Sequence, residues 1–122
     1  ILQNKNVKNV IAISSGAALK TYFGWSLYCT SKAALKQLIS SYADESENVK
    51  FVSLAPGLVK TKMQDKIYSH DEKIIPSVKK FKLAYGDMDS PDVCAQKIVQ
   101  NINQVFWDSK NYYFDLRDIF EK

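Results

Sequence analysis

The chain has 122 residues, a formal net charge of +4, 46% hydrophobic residues and 25% charged residues. That length holds one domain rather than two. The composition is that of an ordinary globular protein, and four glycines and three prolines give collagen-like, linker-like and disordered readings no support. No apolar run approaches the ~18 residues of a membrane span, and no charged-then-apolar leader reads as a signal peptide. The mild positive charge suits anionic ligands without marking a nucleic-acid binder. Cys29 and Cys94 form no CxxC and read as free thiols of a reducing, cytoplasmic setting. One histidine, His70, is too few for a His/Cys zinc site, so no metal is expected. The first residue is Ile1, not Met, which suggests a processed chain or a piece of a longer one.

In chain order, residues 1–6 read as a loop or a frayed helix end. Residues 7–14, VKNVIAIS, are short and β-branched, as in a buried parallel strand. Ser15-Gly16 breaks the run. Residues 16–25 form an irregular connection carrying Tyr22, Phe23 and Trp25. From Ser26 to about Ala43 the pattern is helical, with Leu35, Leu38, Ile39 and Tyr42 on one face. VKFVSL (49–54) reads as a second strand, stopped by Ala55-Pro56-Gly57. Residues 58–89 are lysine-rich and poorly periodic, an excursion with short helices. Ser90-Pro91-Asp92 is a helix start, followed by an apolar face of Cys94, Ala95, Ile98, Val99 and Ile102 to about Asn103. YYFDL (112–116) reads as a third strand, and RDIFEK as a polar tail. Strands alternating with helices predict a parallel sheet. The first strand is apolar enough to want neighbours on both sides.

Three features share the carboxyl edge of that sheet, where such folds bind ligands. Ser14-Ser15 ends the first strand. Tyr28 and Lys32 stand four residues apart on one helix face. Pro56-Gly57-Leu58-Val59-Lys60-Thr61 follows the second strand. A free tyrosine titrates near ~10, and a neighbouring cation favours the phenolate. That pairing makes Tyr28 a candidate proton donor or acceptor for an alcohol or carbonyl oxygen, with Ser15 holding the same oxygen. Taken singly, Tyr28 is an ordinary helix tyrosine, Ser14 a strand terminator and Pro56-Gly57 a turn. The lysines of 60–82 read as a solvated face. A hydrolase using Ser15 and His70 lacks a GxSxG elbow.

The stretches IAISSG (11–16), YCTSKAAL (28–35) and APGLVKTKM (55–63), with Ser15 thirteen residues before Tyr28, resemble the short-chain dehydrogenase/reductase family. SSGAALKTYFGWSLYCTSKAAL, YGDMDSPDVCAQKI and FDLRDI look most like its benzil-reductase and sepiapterin-reductase-like members. The resemblance implies an α/β fold: the carboxyl-terminal half of a Rossmann-type doubly wound parallel sheet, with three strands in the order β-α-β-α-β across 1–122. It implies NADP as cofactor, NAD not being excluded, and a carbonyl or alcohol substrate. Tyr28 would be the general acid, assisted by Lys32 and Ser15. Tyr28, Lys32, Pro56, Gly57, Val59 and Thr61 would contact the cofactor. Ser15, Tyr22, Trp25 and Met63 would face the substrate beneath a lid of residues 60–86. A full-length enzyme would be a homodimer or tetramer. The family's glycine-rich pyrophosphate turn, its ribose-reading residue and its helix asparagine have no counterpart here, so the chain alone is expected to be inactive. Two rivals stand beside this reading: a non-catalytic half-domain acting by association through Leu35, Leu38 and Ile39, and an extended-branch epimerase or dehydratase.

Overall fold

A computed structural model describes residues 6–107 and 112–120. The expectation for residues 1–6 falls almost wholly outside that range. Strand β1 (Asn9–Ile13), helix α1 (Ser26–Glu45) and strand β2 (Lys50–Ala55) come first. Helices α2 (Lys62–Ser69), α3 (Val78–Ala84), α4 (Pro91–Gln100) and α5 (Ile102–Trp107) follow, then strand β3 (Tyr113–Asp115) and a short helix α6 (Arg117–Phe120). The three strands form one parallel sheet in the order β1-β2-β3. The α/β fold is therefore the one expected from the alternating pattern.

The period-two alternation of a strand sends neighbouring side chains to opposite faces, and the two halves of the core follow from it. Ile39 and Leu35 of α1 pack with Phe51, Val10 and Ala12 on one face. Val52 and Leu54 pack with Cys94, Val105, Phe114 and Leu116 on the other. The register Val10↔Phe51 and Ile11↔Val52 keeps like faces together. Central β2 is buried from Phe51 to Ala55, whereas β1 is only partly covered. Among the described residues β1 pairs with β2 alone.

Helix α4 starts as its sequence dictates. Ser90 Oγ accepts from the Val93 N–H, and proline sits in the first turn, where its missing N–H costs nothing. The continuous helix expected to about Asn103 instead breaks at Asn101. The Asn101 backbone N–H donates to both Lys97 and Ile98 carbonyls, and its side-chain amide also donates to Lys97 O. The side chain thus shares the Lys97 carbonyl with the backbone, and a new helix starts at Ile102. Two apolar stripes are also narrower than expected. Leu38 and Tyr42 are 48% and 37% exposed, although Tyr42 still stacks on Phe51. Val99 is 68% exposed, and Cys94 and Ile98 alone carry the inward face of α4. Residues 117–120 are helical rather than a tail.

The excursion is a closed unit. Lys60 N–H donates to Asp89 O, and Val59 bridges Asp89, which ties its two ends together. Within it, Ile67 of α2 packs on Val78 and Phe81 of α3, with Tyr22, Trp25, Leu58 and Ile75 around them. Ser77 Oγ accepts from Trp25 Nε1 at 2.8 Å and donates to Phe23 O at 2.8 Å. The excursion is thereby pinned to the connection that precedes α1. No described helix is long and apolar enough to cross a membrane.

Candidate active site

The carboxyl ends of β1 and β2 open into a cleft of about 320 Å³. Ser15 enters it from the end of β1, and Tyr28 and Lys32 from the first two turns of α1. Pro56, Gly57, Val59 and Thr61 line the side that follows β2. Tyr22, Trp25 and Met63 line it beneath the excursion. All ten residues singled out in the sequence thus border one space. Phe23 is 70% exposed and does not line it. His70, exposed at the end of α2, does not line it either, which leaves the hydrolase reading without a base.

Each key side chain is held locally. Lys32 Nζ donates to the Ile13 carbonyl at 3.0 Å and stands 5.9 Å from the centre of the Tyr28 ring. That anchor fixes a cation beside the tyrosine at the end of β1. The Tyr28 ring also meets Trp25 edge-on at 5.9 Å, a geometry favoured by aromatic quadrupoles. Ser15 Oγ accepts from Ala17 N–H at 3.1 Å and so caps the single 3-10 turn after β1. Its hydroxyl proton is not used in that bond. The Ser15 carbonyl accepts from Tyr113 Oη at 3.3 Å. Ser14, the neighbouring serine, continues the ladder instead: its N–H donates to Leu54 O at 2.7 Å.

Thr61 sits at the N-cap of α2 in extended conformation, yet its hydroxyl makes no capping bond. A threonine in that position ordinarily caps, and here its side chain faces the cleft instead. Gly57 has φ +83, and a Cβ there would stand 3.3 Å from Arg117 Cγ. The conformation calls for glycine, and an added methyl group would fit only tightly against the Arg117 side chain.

The sequence reading missed Arg117, Lys80, Phe81 and Gln64, which also line the cleft. Asp115 holds the Arg117 guanidinium through a two-pronged pair at 2.9 and 2.6 Å. Burial alone would push the Asp115 carboxyl up, but the hydrogen bonds and charge of Arg117 overcome it and hold the group below its ordinary value. The available signal was position: Asp115 ends the third strand and Arg117 follows two residues later, on the same edge as Ser15 and Gly57. Lys32, Lys80 and Arg117 give the cleft three cations, and no carboxylate residue lines it among the described residues. Among those residues no group of three His, Cys, Asp or Glu could hold a metal.

The family model for short chain dehydrogenase matches residues 2–72, more than half of the chain. The chain therefore belongs to the short-chain dehydrogenase/reductase family. It is 37% identical over 94 residues to a benzil reductase ((S)-benzoin forming) of Bacillus subtilis, covering 72% of this chain and 39% of that protein. It is 36% identical over 94 residues to a sepiapterin reductase of Mus musculus, covering 75% of this chain and 36% of that one. Among solved structures, the KRED1-Pglu enzyme superposes with a TM-score of 0.76 at 29% identity, covering 93% of this chain and 48% of that chain. The chain thus spans less than half the length of these relatives.

Family membership carries use of a nicotinamide dinucleotide, and the cleft fits the nicotinamide end of one. It offers a cation anchored at the sheet edge, a threonine hydroxyl not spent on capping and a glycine turn at close approach. These are the donors and the space that a ribose and a carboxamide need.

Proposed function

We propose that the polypeptide carrying this sequence is an NADP(H)-dependent reductase of ketones or diketones. The observation that carries the reading is the convergence of Ser15, Tyr28 and Lys32 on one cleft at the carboxyl edge of a parallel sheet, in a chain of this family. Similarity to a benzil reductase and a sepiapterin reductase supports a carbonyl substrate. The three-cation lining supports an anionic dinucleotide.

In this reading the cleft would hold the nicotinamide end of the cofactor, whose chemistry when bound would be hydride donation to a carbonyl carbon. The protein's own residues manage the oxygen. Ser15 Oγ–H donates to it and fixes its position. Tyr28 Oη–H delivers the proton that completes the alcohol. Lys32 places positive charge beside the ring from which that proton leaves, and its ammonium would also donate to the ribose of a bound cofactor. Pro56, Gly57, Val59 and Thr61, which line the cleft after β2, would hold the carboxamide side. Tyr22, Trp25 and Met63 shape the substrate side and, with α2 and α3 above, keep water out. The site works in a cytoplasmic enzyme that pairs as a homodimer or tetramer. Leu27 and Leu38 of α1, 87% and 48% exposed, supply an apolar surface for that pairing.

The test uses the protein as its source cells make it, supplied with NADPH or NADH and a panel of ketones, diketones and nucleotide sugars. Oxidation of NADPH dependent on a ketone or diketone is the expected result. Turnover of nucleotide sugars alone, or none of any substrate, would overturn the reading.

A further inference from the structure

We propose that Gln64 reads a hydrogen-bond donor on the substrate, so that the preferred carbonyl compound carries an O–H or N–H group close to the carbonyl. The inference rests on the reductase reading of the cleft and narrows its substrate class. Helix α2 turns two side chains inward, Gln64 and Ile67, one turn apart, while Lys62, Met63, Asp65 and Lys66 are exposed. Ile67 joins the apolar cluster under the excursion. The equivalent inward position one turn earlier holds an amide. Gln64 is 6% exposed, lines the cleft, and its Oε1 has no hydrogen-bond partner among the described residues.

A buried acceptor left unmatched is costly, and an apolar side chain of similar size would avoid the cost. Ser53 Oγ is also unmatched among the described residues, in the middle of β2; Gln64 differs in lining the cleft, where a ligand can meet it. The terminal torsion of glutamine is soft, so the amide can swing its oxygen into the cleft while its stem stays packed. Sites built around such a group discriminate strongly against analogues that lack the matching donor. A plain diketone offers acceptors only and leaves Oε1 unmatched. An α-hydroxy ketone or an amino-substituted carbonyl compound matches it. Gln64 would then be a specificity-determining residue, distinct from the proton-transfer chemistry at Tyr28.

The test compares phenacyl alcohol, an α-hydroxy ketone, with its methyl ether, which has the same skeleton and no donor. Binding to the full natural protein with nucleotide present is measured by calorimetry, and kcat/KM is measured alongside. The wild type is expected to favour the alcohol by about tenfold or more. Gln64→Met should bring that ratio near one and leave the melting temperature equal or higher. Gln64→Glu, which keeps an acceptor, should preserve the preference. A wild-type ratio near one, or a ratio unchanged in Gln64→Met, would overturn the inference. A lower melting temperature in Gln64→Met with the ratio unchanged would mean that the amide serves the fold. If Gln64→Met does not fold, Gln64→Asn, which withdraws the oxygen, decides by the same ratio. Because binding is read independently of turnover, loss of the reductase reading would show as absent ketone-dependent NADPH oxidation with the binding preference still measurable.

Discussion

Arg117 lies across Gly57 so closely that a methyl group added to the glycine would stand 3.3 Å from the arginine Cγ and 3.4 Å from its Cδ. The contact joins the end of β2 to the start of α6. It brings a guanidinium, clamped by Asp115, over the turn that borders the cleft. Gly57 also has φ +83, a conformation that costs an L-residue roughly 1–2 kcal/mol. Gly57→Ala is therefore expected to destabilise the protein by about 2 kcal/mol in denaturant unfolding and to weaken nucleotide binding by displacing Arg117. Gly86 is the control. It has ordinary backbone geometry and nothing within 4 Å of an added Cβ, so Gly86→Ala should be neutral or slightly stabilising.

The Asp115–Arg117 pair predicts an acid-sensitive step. The folded state holds the Asp115 carboxyl below its ordinary value. A depressed carboxylate contributes stability above its unfolded pKa and loses it as pH falls through the folded value. Stability measured by urea unfolding should therefore decline below the ordinary carboxylate range. Asp115→Asn should flatten part of that acid limb. An acid limb unchanged in Asp115→Asn would show that the pair contributes nothing.

Tyr113 predicts a step at the alkaline end. Burial, first, and then the charge of Asp115 push its phenol up to about 12. A raised value contributes stability that is complete below the unfolded pKa near ~10 and is lost as pH rises through the folded one. Phenolate absorbance should show a late alkaline step to which Tyr113 contributes, beside Tyr85 and Tyr112, whose phenols are raised by hydrogen bonds to Asp65 and Asp44. Tyr113→Phe should remove the highest part of that late step and cost less than about 1 kcal/mol near neutral pH, since the bond to the Ser15 carbonyl is long. Disappearance of a mid-range tyrosine instead would contradict the buried placement.

Much of this arrangement is legible in the residues. Val and Ile in VIAI and the FVSL run gave away β1 and β2, and Ser90-Pro91 marks the start of α4, because each signal is local and needs no partner. The ten candidate site residues converge because strand ends and helix starts share one edge of a parallel sheet. Leu38 and Val99 misled because helical periodicity finds an apolar stripe without telling which part of it meets the sheet. The break at Asn101 comes with a side-chain amide bonded to the Lys97 carbonyl, which a continuous apolar pattern hides. Gln64 and Arg117 were illegible for a different reason. A glutamine in a lysine-rich stretch looks solvated until α2 is seen to turn it inward. An arginine in a polar-looking tail gains meaning only when β3 delivers it beside Gly57.

Proton delivery by Tyr28 in carbonyl reduction is decided by substituting that one hydroxyl. Ketone-dependent NADPH oxidation should be compared between the natural protein and its Tyr28→Phe variant, with nucleotide affinity measured on both. Loss of one general acid typically costs about 10²- to 10⁴-fold. The predicted result is a fall of that order in kcat, with nucleotide affinity within a few-fold of wild type. A Tyr28→Phe variant that turns over at the wild-type rate would mean that Tyr28 is not the proton donor.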